Sequence, residues 1–216
     1  YILSVKDDAL PVLIPQLCRG REDKLFLHTA GSVSIDVFQG MARHYGVFYP
    51  MQTFSRQKRV SFEEIPCFIE GSGEEETDAI EALASQLSHR VYRLSSEARK
   101  YLHLSAVFAC NFVNHCYAIS AELLEKHGIP FDVMLPLIDE TAAKVHQMLP
   151  KDAQTGPAVR YDENVIRAQS QLLKNNPLVK DIYDRMSMNI HRLSEEFNSF
   201  TNHKVPSSKY DKLRFR

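Results

Sequence analysis

The stretch SEARKYLHLSAVFACNFVNHCYAISAELLEKH, residues 96–127, carries the strongest structural signal of the chain. Most positions between Leu102 and Leu124 are apolar, and serines that suit a helix N-cap stand at its start. Gly128 and Pro130 follow it, and both residue types end helices. The stretch therefore predicts one long helix. A helix that is apolar on nearly all sides is buried in the centre of a domain or at a subunit interface.

Four polar side chains interrupt this apolar surface. At about 100° per residue they share one stripe, roughly 80° wide, on the predicted helix. They are Lys100, His103, Asn111 and Asn114. Because buried polar groups without partners cost free energy, the stripe needs an explanation. We interpret it as the wall of a polar cleft; the alternatives are polar groups satisfied by packing against the preceding domain, or a water-filled dimer interface.

Upstream of this helix, short apolar runs alternate with helical patterns, which is typical of a layered α/β domain. The first run, at the very start of the chain, is expected to be a fully buried strand. The predicted strands are Tyr1–Val5, Lys24–His28, Gly46–Pro50, Pro66–Glu70 and Arg90–Leu94. The predicted helices between them are Ala9–Leu17, Ser34–Tyr45 and Glu74–Leu87.

Downstream, the pattern is entirely helical. Three further helices are predicted, at Phe131–Leu149, Asp162–Asn175 and Leu178–Phe200. The fold class predicted is thus α/β followed by an all-α helical bundle built on the long central helix. The predicted domains are residues 1–95 and 96–203, followed by a basic tail, 204–216, which we interpret as a solvated arm.

Two loops carry residues suited to ligand binding. His28-Thr29-Ala30-Gly31-Ser32 follows a predicted strand, and ligands of open α/β sheets bind at the carboxyl ends of the strands. The alternative is that Ser32 or Ser34 only caps the next helix. Between two later helices, Arg160 follows a Gly-Pro turn. Its guanidinium could bind an anionic ligand; the alternative is an ion pair with an acidic residue at the surface.

The composition excludes several functional classes. The 216 residues are 44% hydrophobic, so a disordered chain is not expected. The 26 Lys+Arg and 27 Asp+Glu give a net charge of -1, so electrostatic binding to nucleic acid is not expected as the main function. No apolar run approaches the roughly 18 residues that span a bilayer. The 4 Cys form no close pair and predict free thiols in the cytoplasm. The 9 His show no metal-binding spacing, so no metal is predicted.

These motifs resemble a known superfamily, that of 6-phosphogluconate dehydrogenase, 3-hydroxyisobutyrate dehydrogenase and pyrroline-5-carboxylate reductase. The chain is most similar to Rossmann-like oxidoreductases whose C-terminal part is known as domain of unknown function 2520. The resemblance covers nearly the whole chain except the basic tail. The stretches that carry it are His28–Ser32, Gly46–Phe54, Lys100–His103, Asn111–His115 and Thr155–Pro157 with Arg160 and Asp162.

The resemblance implies a partial Rossmann (doubly wound) sheet and a cofactor, NADP or NAD. Family members hold the cofactor pyrophosphate with a G-x-G-x-x-G turn, which this chain does not contain, so we expect that the N-terminal half of the Rossmann domain is missing from it. The resemblance places Ser4, Val5 and Lys6 near the adenosine side of the cofactor. It places His28, Thr29 and Ala30 near the nicotinamide.

The resemblance also suggests the chemistry. Lys100 and His103 are similar to the Lys-x-x-His of 6-phosphogluconate dehydrogenase, in which the lysine is the acid/base group. In that enzyme an asparagine follows the histidine, whereas Leu104 follows it here. Asn111, two turns further along, is our candidate for the asparagine's role. The remaining substrate-binding candidates are Ser32, Asn114 and Arg160.

The predicted function is therefore an NAD(P)-dependent oxidoreductase. It would transfer a hydride between the nicotinamide and a small anionic imine, oxo or hydroxy metabolite. The alternative is a non-catalytic dimeric module that binds a nucleotide or metabolite and regulates another process. In either case the apolar long helix predicts a homodimer through the helical domain, because a small bundle cannot cover it alone.

Overall fold

The computed structural model describes residues 1–55 and 57–202. The predicted basic tail, 204–216, lies outside the described residues. The chain forms two compact units, one from Tyr1 to Tyr117 and one from Ala118 onward. The first unit extends beyond the predicted boundary at residue 95 because it includes the start of the long helix. An α/β region followed by an all-helical region is confirmed.

The first unit is built on a five-stranded mixed sheet in which the strands follow one another in chain order. Strands β1 to β3 run parallel, β4 is antiparallel to β3, and β5 is parallel to β4. Across the sheet, His28 of β2 pairs in register with Val47 of β3, which in turn pairs with Glu70 of β4. The strands are Ile2–Leu3 (β1), Leu25–His28 (β2), His44–Pro50 (β3), Cys67–Gly71 (β4) and Val91–Arg93 (β5).

Two helices cover the two faces of this sheet. Helix α1, Leu10–Cys18, packs in one apolar cluster with Phe26, and helix α2, Glu74–Ser85, packs in another with Leu27. Because consecutive strand residues point to opposite faces, these two clusters lie on opposite sides of the sheet. The result is the layered α/β arrangement that the alternating pattern predicts.

The predicted helix Ser34–Tyr45 is wrong. Only Ile35–Phe38 forms a helical turn, of the 3-10 type, and Gly40 then takes a left-handed φ of 76° that ends it. Phe38 is fully buried in the cluster around α1. The chain is extended again from His44 and forms the middle strand of the sheet. Buried Phe38 and the partly buried Val37 and Ala42 therefore pack on this part of the core from a turn rather than from a helical face.

The first strand also differs from the prediction. β1 comprises only Ile2 and Leu3, and it lies at an edge of the described sheet. Ile2 is 50% exposed, whereas Leu3 is buried at 5%. The run at residues 1–5 is therefore a half-buried edge strand and not the fully buried strand that its apolar letters predict.

The long helix is confirmed, with one irregularity. It consists of α3, Ser96–Ala106, a π-helical stretch, Val107–Phe112, and α4, Val113–Glu125. Ser95 caps its start, since its hydroxyl accepts a hydrogen bond from the Ala98 amide at 3.3 Å. Gly128 follows the end of α4 with a left-handed φ of 68°.

In the second unit, the helices agree with the prediction in part. The region predicted as one helix at Phe131–Leu149 begins with a 3-10 turn, Phe131–Met134, continues as one α-helix and leaves the helical conformation after Lys144, whereas the last two predicted helices are present. Asp162 caps the first of these two by accepting a hydrogen bond from the Val165 amide. The helices are α5, Leu135–Lys144, α6, Pro150–Ala153, α7, Glu163–Leu172, and α8, Pro177–Asn202. Within residues 1–55 and 57–202, no helix has both the length and the apolar character required to cross a bilayer.

Candidate functional site

A cavity of about 580 Å³ lies in the first unit, between the end of β3 and the helical segment α3 with its π-helical stretch. His103 and Asn111, two of the four predicted polar residues, line it. The other lining residues are uncharged and come from the end of β3 and the residues after it, and from α3 and the π-helical stretch. They are Tyr49, Met51, Gln52, Thr53, Leu102, Ser105, Ala106, Val107, Ala109 and Cys110.

Tyr49 and His103 form the polar centre of this cavity. The Tyr49 hydroxyl lies 3.1 Å from His103 Nδ1, a hydrogen bond whose direction depends on the tautomer of the ring. The two rings meet edge to face, with 6.1 Å between their centroids. Burial raises the pKa of the Tyr49 phenol above its ordinary value, so this hydroxyl keeps its proton at neutral pH.

Gly31 brings the predicted ligand-binding loop directly against this pair. A Cβ atom at residue 31 would lie 2.6 Å from His103 Nδ1 and 2.9 Å from Tyr49 Cζ, too close for either contact. The residue is buried. The absence of a side chain at Gly31 is therefore what allows the loop after β2, the end of β3 and helix α3 to meet at one point.

The π-helical stretch changes the predicted polar stripe. A π turn contains an extra residue, which rotates all later side chains by about 100° relative to a regular helix. Asn111 lies within this stretch and lines the cavity with His103. Lys100 and Asn114 are exposed and are not among the lining residues. The structure thus brings two of the four stripe residues together.

The predicted cofactor residues lie at the carboxyl edge of β1 and β2. Ser4, Val5 and Lys6 follow β1 and are exposed. Ser32 donates a hydrogen bond to the Asp7 carboxylate, which joins the loops that follow the two strands. Both loops therefore belong to one edge of the sheet, as the parallel strands predict.

His28 is placed differently from its neighbours, because its whole side chain is buried. Its Nδ1 accepts a hydrogen bond from the Ala30 amide at 3.1 Å, and its ring stacks on Phe38. Burial, and then the positive charge of Arg99, lower its pKa from 6.5 to about 4. Its ring is therefore neutral, and its contribution to the site is to hold the turn that contains Thr29 and Ala30.

This buried ring makes the stability of the fold depend on pH. The folded state binds the His28 proton less readily than the unfolded chain, so protonation favours unfolding as the pH falls from about 6.5 to about 4. We expect the unfolding free energy to drop by about 3 kcal/mol more in the native chain than in His28→Asn over this interval. Asparagine keeps an acceptor for the Ala30 amide but does not titrate.

Urea denaturation of both proteins at a series of pH values measures this difference. Other titrating groups are common to the two proteins and cancel in the comparison. Parallel curves of unfolding free energy against pH would show that His28 is not the group responsible.

Arg160 belongs to the second unit, where it is exposed. Its neighbour Tyr161 has a left-handed φ of 51°, which is uncommon for a residue with a side chain. The Tyr161 ring stacks on His191 with 4.1 Å between centroids. The loop around Arg160 is therefore held in a defined conformation by a contact with helix α8.

Two residues at or next to the cavity, Tyr49 and Arg99, are not predicted by the sequence pattern. Tyr49 lies in a stretch that carries the family resemblance, but the pattern there indicates only a strand. Its polar tip at the carboxyl end of a central strand is the signal that could have identified it. Arg99 is fully buried and paired with Glu70 at 2.6 Å, although an arginine in the first turns of a helix normally indicates a solvated surface.

Comparisons with known proteins agree with this architecture. The profile of the family described as Domain of unknown function (DUF2520) matches residues 65–190. A solved structure from Bacteroides fragilis, described as a "putative NADP oxidoreductase", is 56% identical with a TM-score of 0.85; the match covers 89% of this chain and 74% of that one.

More distant structures share the fold. A protein of Thermotoga maritima is 21% identical with a TM-score of 0.75, covering 90% of this chain and 78% of that one. An imine reductase from Myxococcus stipitatus in complex with NADP+ is 14% identical with a TM-score of 0.59, covering 90% and 74%. No curated protein matches in the sequence comparison. The Rossmann-like sheet with a following helical region is thereby confirmed, and the chain belongs to the DUF2520 family.

Proposed function

We propose that this protein is a nicotinamide-dependent oxidoreductase in which Tyr49 and His103 exchange a proton with the substrate. The observation that carries the proposal is their 3.1 Å hydrogen bond in the wall of a cavity at the end of a central strand. The 56% identity to a protein described as a putative NADP oxidoreductase supports the cofactor class. A comparison of NADPH with NADH oxidation distinguishes the two cofactors.

The residues at the carboxyl edge of the sheet suit such a cofactor. Ser4 and Thr29 offer hydroxyl groups and Lys6 an ammonium group, which are donors that phosphate, ribose and carboxamide oxygens accept. Ser4 and Lys6 are exposed, so these groups are accessible. We assign Ser4, Val5, Lys6, Thr29 and Ala30 to this role. When bound, the nicotinamide would supply or accept the hydride.

The protein's own contribution is the proton. Reduction of a C=N or C=O bond adds a hydride to carbon and a proton to nitrogen or oxygen, so an acid must stand beside the reacting bond. The Tyr49 phenol is protonated at neutral pH, and burial raises its pKa further. In our proposal the Tyr49 hydroxyl gives this proton to the substrate and recovers one through His103. Asn111, on the same cavity wall, would orient the substrate.

The lining of the cavity favours a substrate whose reacting end is uncharged. Among the described residues that line it there is no Lys, Arg, Asp or Glu, and the polar groups are hydroxyls, amides and one imidazole. A small imine or carbonyl compound suits this lining. The solved imine reductase that shares the fold makes imines the first class to test. An anionic group elsewhere on the substrate stays a prediction of the sequence, as does Arg160 as an anion-binding residue of the second unit.

The decisive experiment measures oxidation of NADPH and NADH by the full chain with a panel of imines, 2-oxo acids and aldehydes. We expect turnover with at least one imine or carbonyl compound and a preference for one cofactor. Cofactor binding in calorimetry without any turnover would favour the regulatory module instead. Absence of binding of either cofactor to the full-length protein would refute the proposal.

We further propose a homodimer that forms through the helical region. Several large apolar side chains of the long helix and of the second unit are exposed, and such surfaces mark interfaces. They include Tyr101 at 69%, Phe108 at 60%, Leu172 at 83% and Leu178 at 80%. Light scattering is expected to give twice the chain mass of 24.8 kDa. A monomer at micromolar concentration would contradict this, and Leu172→Glu is expected to weaken the dimer.

A further inference from the structure

A buried ion pair joins three separate segments next to the proposed site. Arg99, in α3, is fully buried, and its Nη1 donates to Glu70 Oε2 of β4 at 2.6 Å. Its Nη2 donates to the Val33 carbonyl at 2.6 Å, in the loop that follows β2. A single guanidinium therefore holds a strand, a loop and the start of the long helix together.

Ser96 adds a second set of hydrogen bonds between the same strand, loop and helix. Glu70 also accepts hydrogen bonds from the Ser96 amide at 2.9 Å and from its hydroxyl at 2.6 Å. The Ser96 hydroxyl oxygen in turn accepts from the Ile35 amide at 2.9 Å. The loop is thus attached to the first turn of α3 at two points. We call Glu70, Ser96 and Arg99 together the Glu70–Arg99 clamp.

The clamp lies one helical turn away from His103. Residues four apart share a helix face, so Arg99 and His103 point to the same side of α3. The clamp holds the loop at Val33 and Ile35. A few residues earlier in the same loop, Gly31 lies directly against the His103 ring. Any shift of the loop relative to α3 therefore changes the space available to His103.

We infer that the Glu70–Arg99 clamp is a positioning device for the Tyr49–His103 pair. It keeps Gly31 pressed against the His103 ring, which holds His103 Nδ1 within hydrogen-bonding distance of Tyr49. The catalytic meaning of this inference rests on the proposed function, whereas its structural content does not. Arg99, Glu70 and Ser96 act through His103 and do not themselves contact the cavity.

General energetics support a positioning role over a stabilising one. A buried ion pair gains little over well-packed apolar side chains, because both charges must first be desolvated. Its particular property is directional: the planar guanidinium holds Glu70 and the Val33 carbonyl in fixed positions at once, and a lysine ammonium cannot reproduce this geometry. A charged group of this kind is costly to bury and is better explained by the geometry it imposes.

The test compares Ser96→Ala with Ser95→Ala. Both variants remove a hydroxyl from the first turn of the long helix, but Ser95 only caps the Ala98 amide, whereas Ser96 joins Glu70 to the loop. Ser96→Thr restores the hydroxyl and serves as the rescue. Arg99→Lys is compared in the same way with Arg93→Lys. The native Arg93 guanidinium is exposed and binds Glu74, Asp78 and Glu81 of helix α2.

The first readout needs no substrate. We expect the Ala30 amide, which neighbours Gly31 and donates to His28 Nδ1, to exchange roughly tenfold faster in Ser96→Ala than in Ser95→Ala at equal global stability. The His103 ring signals in NMR should move in Ser96→Ala and Arg99→Lys and return in Ser96→Thr. Unchanged His103 signals and equal exchange of the Ala30 amide would overturn the inference.

The second readout is turnover. Misplacement of a proton donor by about 1 Å can cost on the order of 10²-fold, so kcat is expected to fall by up to that factor in Ser96→Ala while KM changes little. Ser95→Ala should retain its kcat. If the native protein shows no turnover, the proposed function fails, but the exchange and NMR results still decide whether the clamp positions His103.

Discussion

Replacing His103 with glutamine is expected to lower kcat by roughly 10²- to 10⁴-fold, the contribution that a positioned acid/base group makes to proton transfer. Glutamine retains polarity and volume but cannot relay a proton. Tyr49→Phe removes only the hydroxyl that lies 3.1 Å from His103 Nδ1, and a loss of similar size is expected. Steady-state kinetics with a substrate found in the panel measure both.

The double variant provides the sharper result. If Tyr49 and His103 work as one unit, removing both should cost little more than removing either, because the second change finds the relay already broken. Additive losses would mean that the two groups act separately. His89→Gln is the matched control, since His89 is exposed and lies outside the cavity. Lys100→Met, measured in the same assay, decides between the two acid/base candidates that the Lys-x-x-His pattern suggests.

Replacing Gly31 with alanine is the second large effect. The added Cβ would lie 2.6 Å from His103 Nδ1 and 2.8 Å from His103 Cγ, so either the ring or the loop must move. We expect a loss of about 1–3 kcal/mol in stability from overpacking. We also expect a loss in kcat on the order of 10²-fold, because the proton relay is displaced.

Gly73→Ala is the matched control for this substitution. A Cβ there would also be closer than normal, at 2.7 Å, but to Glu76 Oε2, whose carboxylate pairs with His44 and makes no contact with the Tyr49–His103 pair among the described residues. It should therefore leave kcat unchanged. An alanine at residue 31 that costs stability but not kcat would show that the loop can shift without affecting the Tyr49–His103 pair.

The sequence predicts the large elements correctly where one physical signal dominates. The long apolar stretch between Leu102 and Leu124 has no alternative to a helix, and the loop after β2 lies at the predicted edge of the sheet. The prediction fails at Ser34–Tyr45, because the spacing of its apolar residues is compatible with one face of a helix and also with a turn followed by a strand. The left-handed Gly40 and the burial of Phe38 decide that case.

The site itself shows a similar division. Regular helical spacing predicts that Lys100, His103, Asn111 and Asn114 face one side, and it includes the two residues, His103 and Asn111, that line the cavity. The π-helical stretch at Val107–Phe112 could not be foreseen, because it changes the phase of the helix without a distinctive residue type.

The order of an α/β region followed by a long apolar helix can be read from the sequence alone, and so can the polar residues that interrupt the apolar surface of this helix. Local patterns suffice for this, because the periodicity of burial and the termination of helices are properties of neighbouring residues. The pairing of Tyr49 with His103 and the burial of Arg99 against Glu70 are visible only in the three-dimensional structure. Those contacts join residues 54 and 29 positions apart, and no local pattern encodes which distant groups a fold brings within hydrogen-bonding distance.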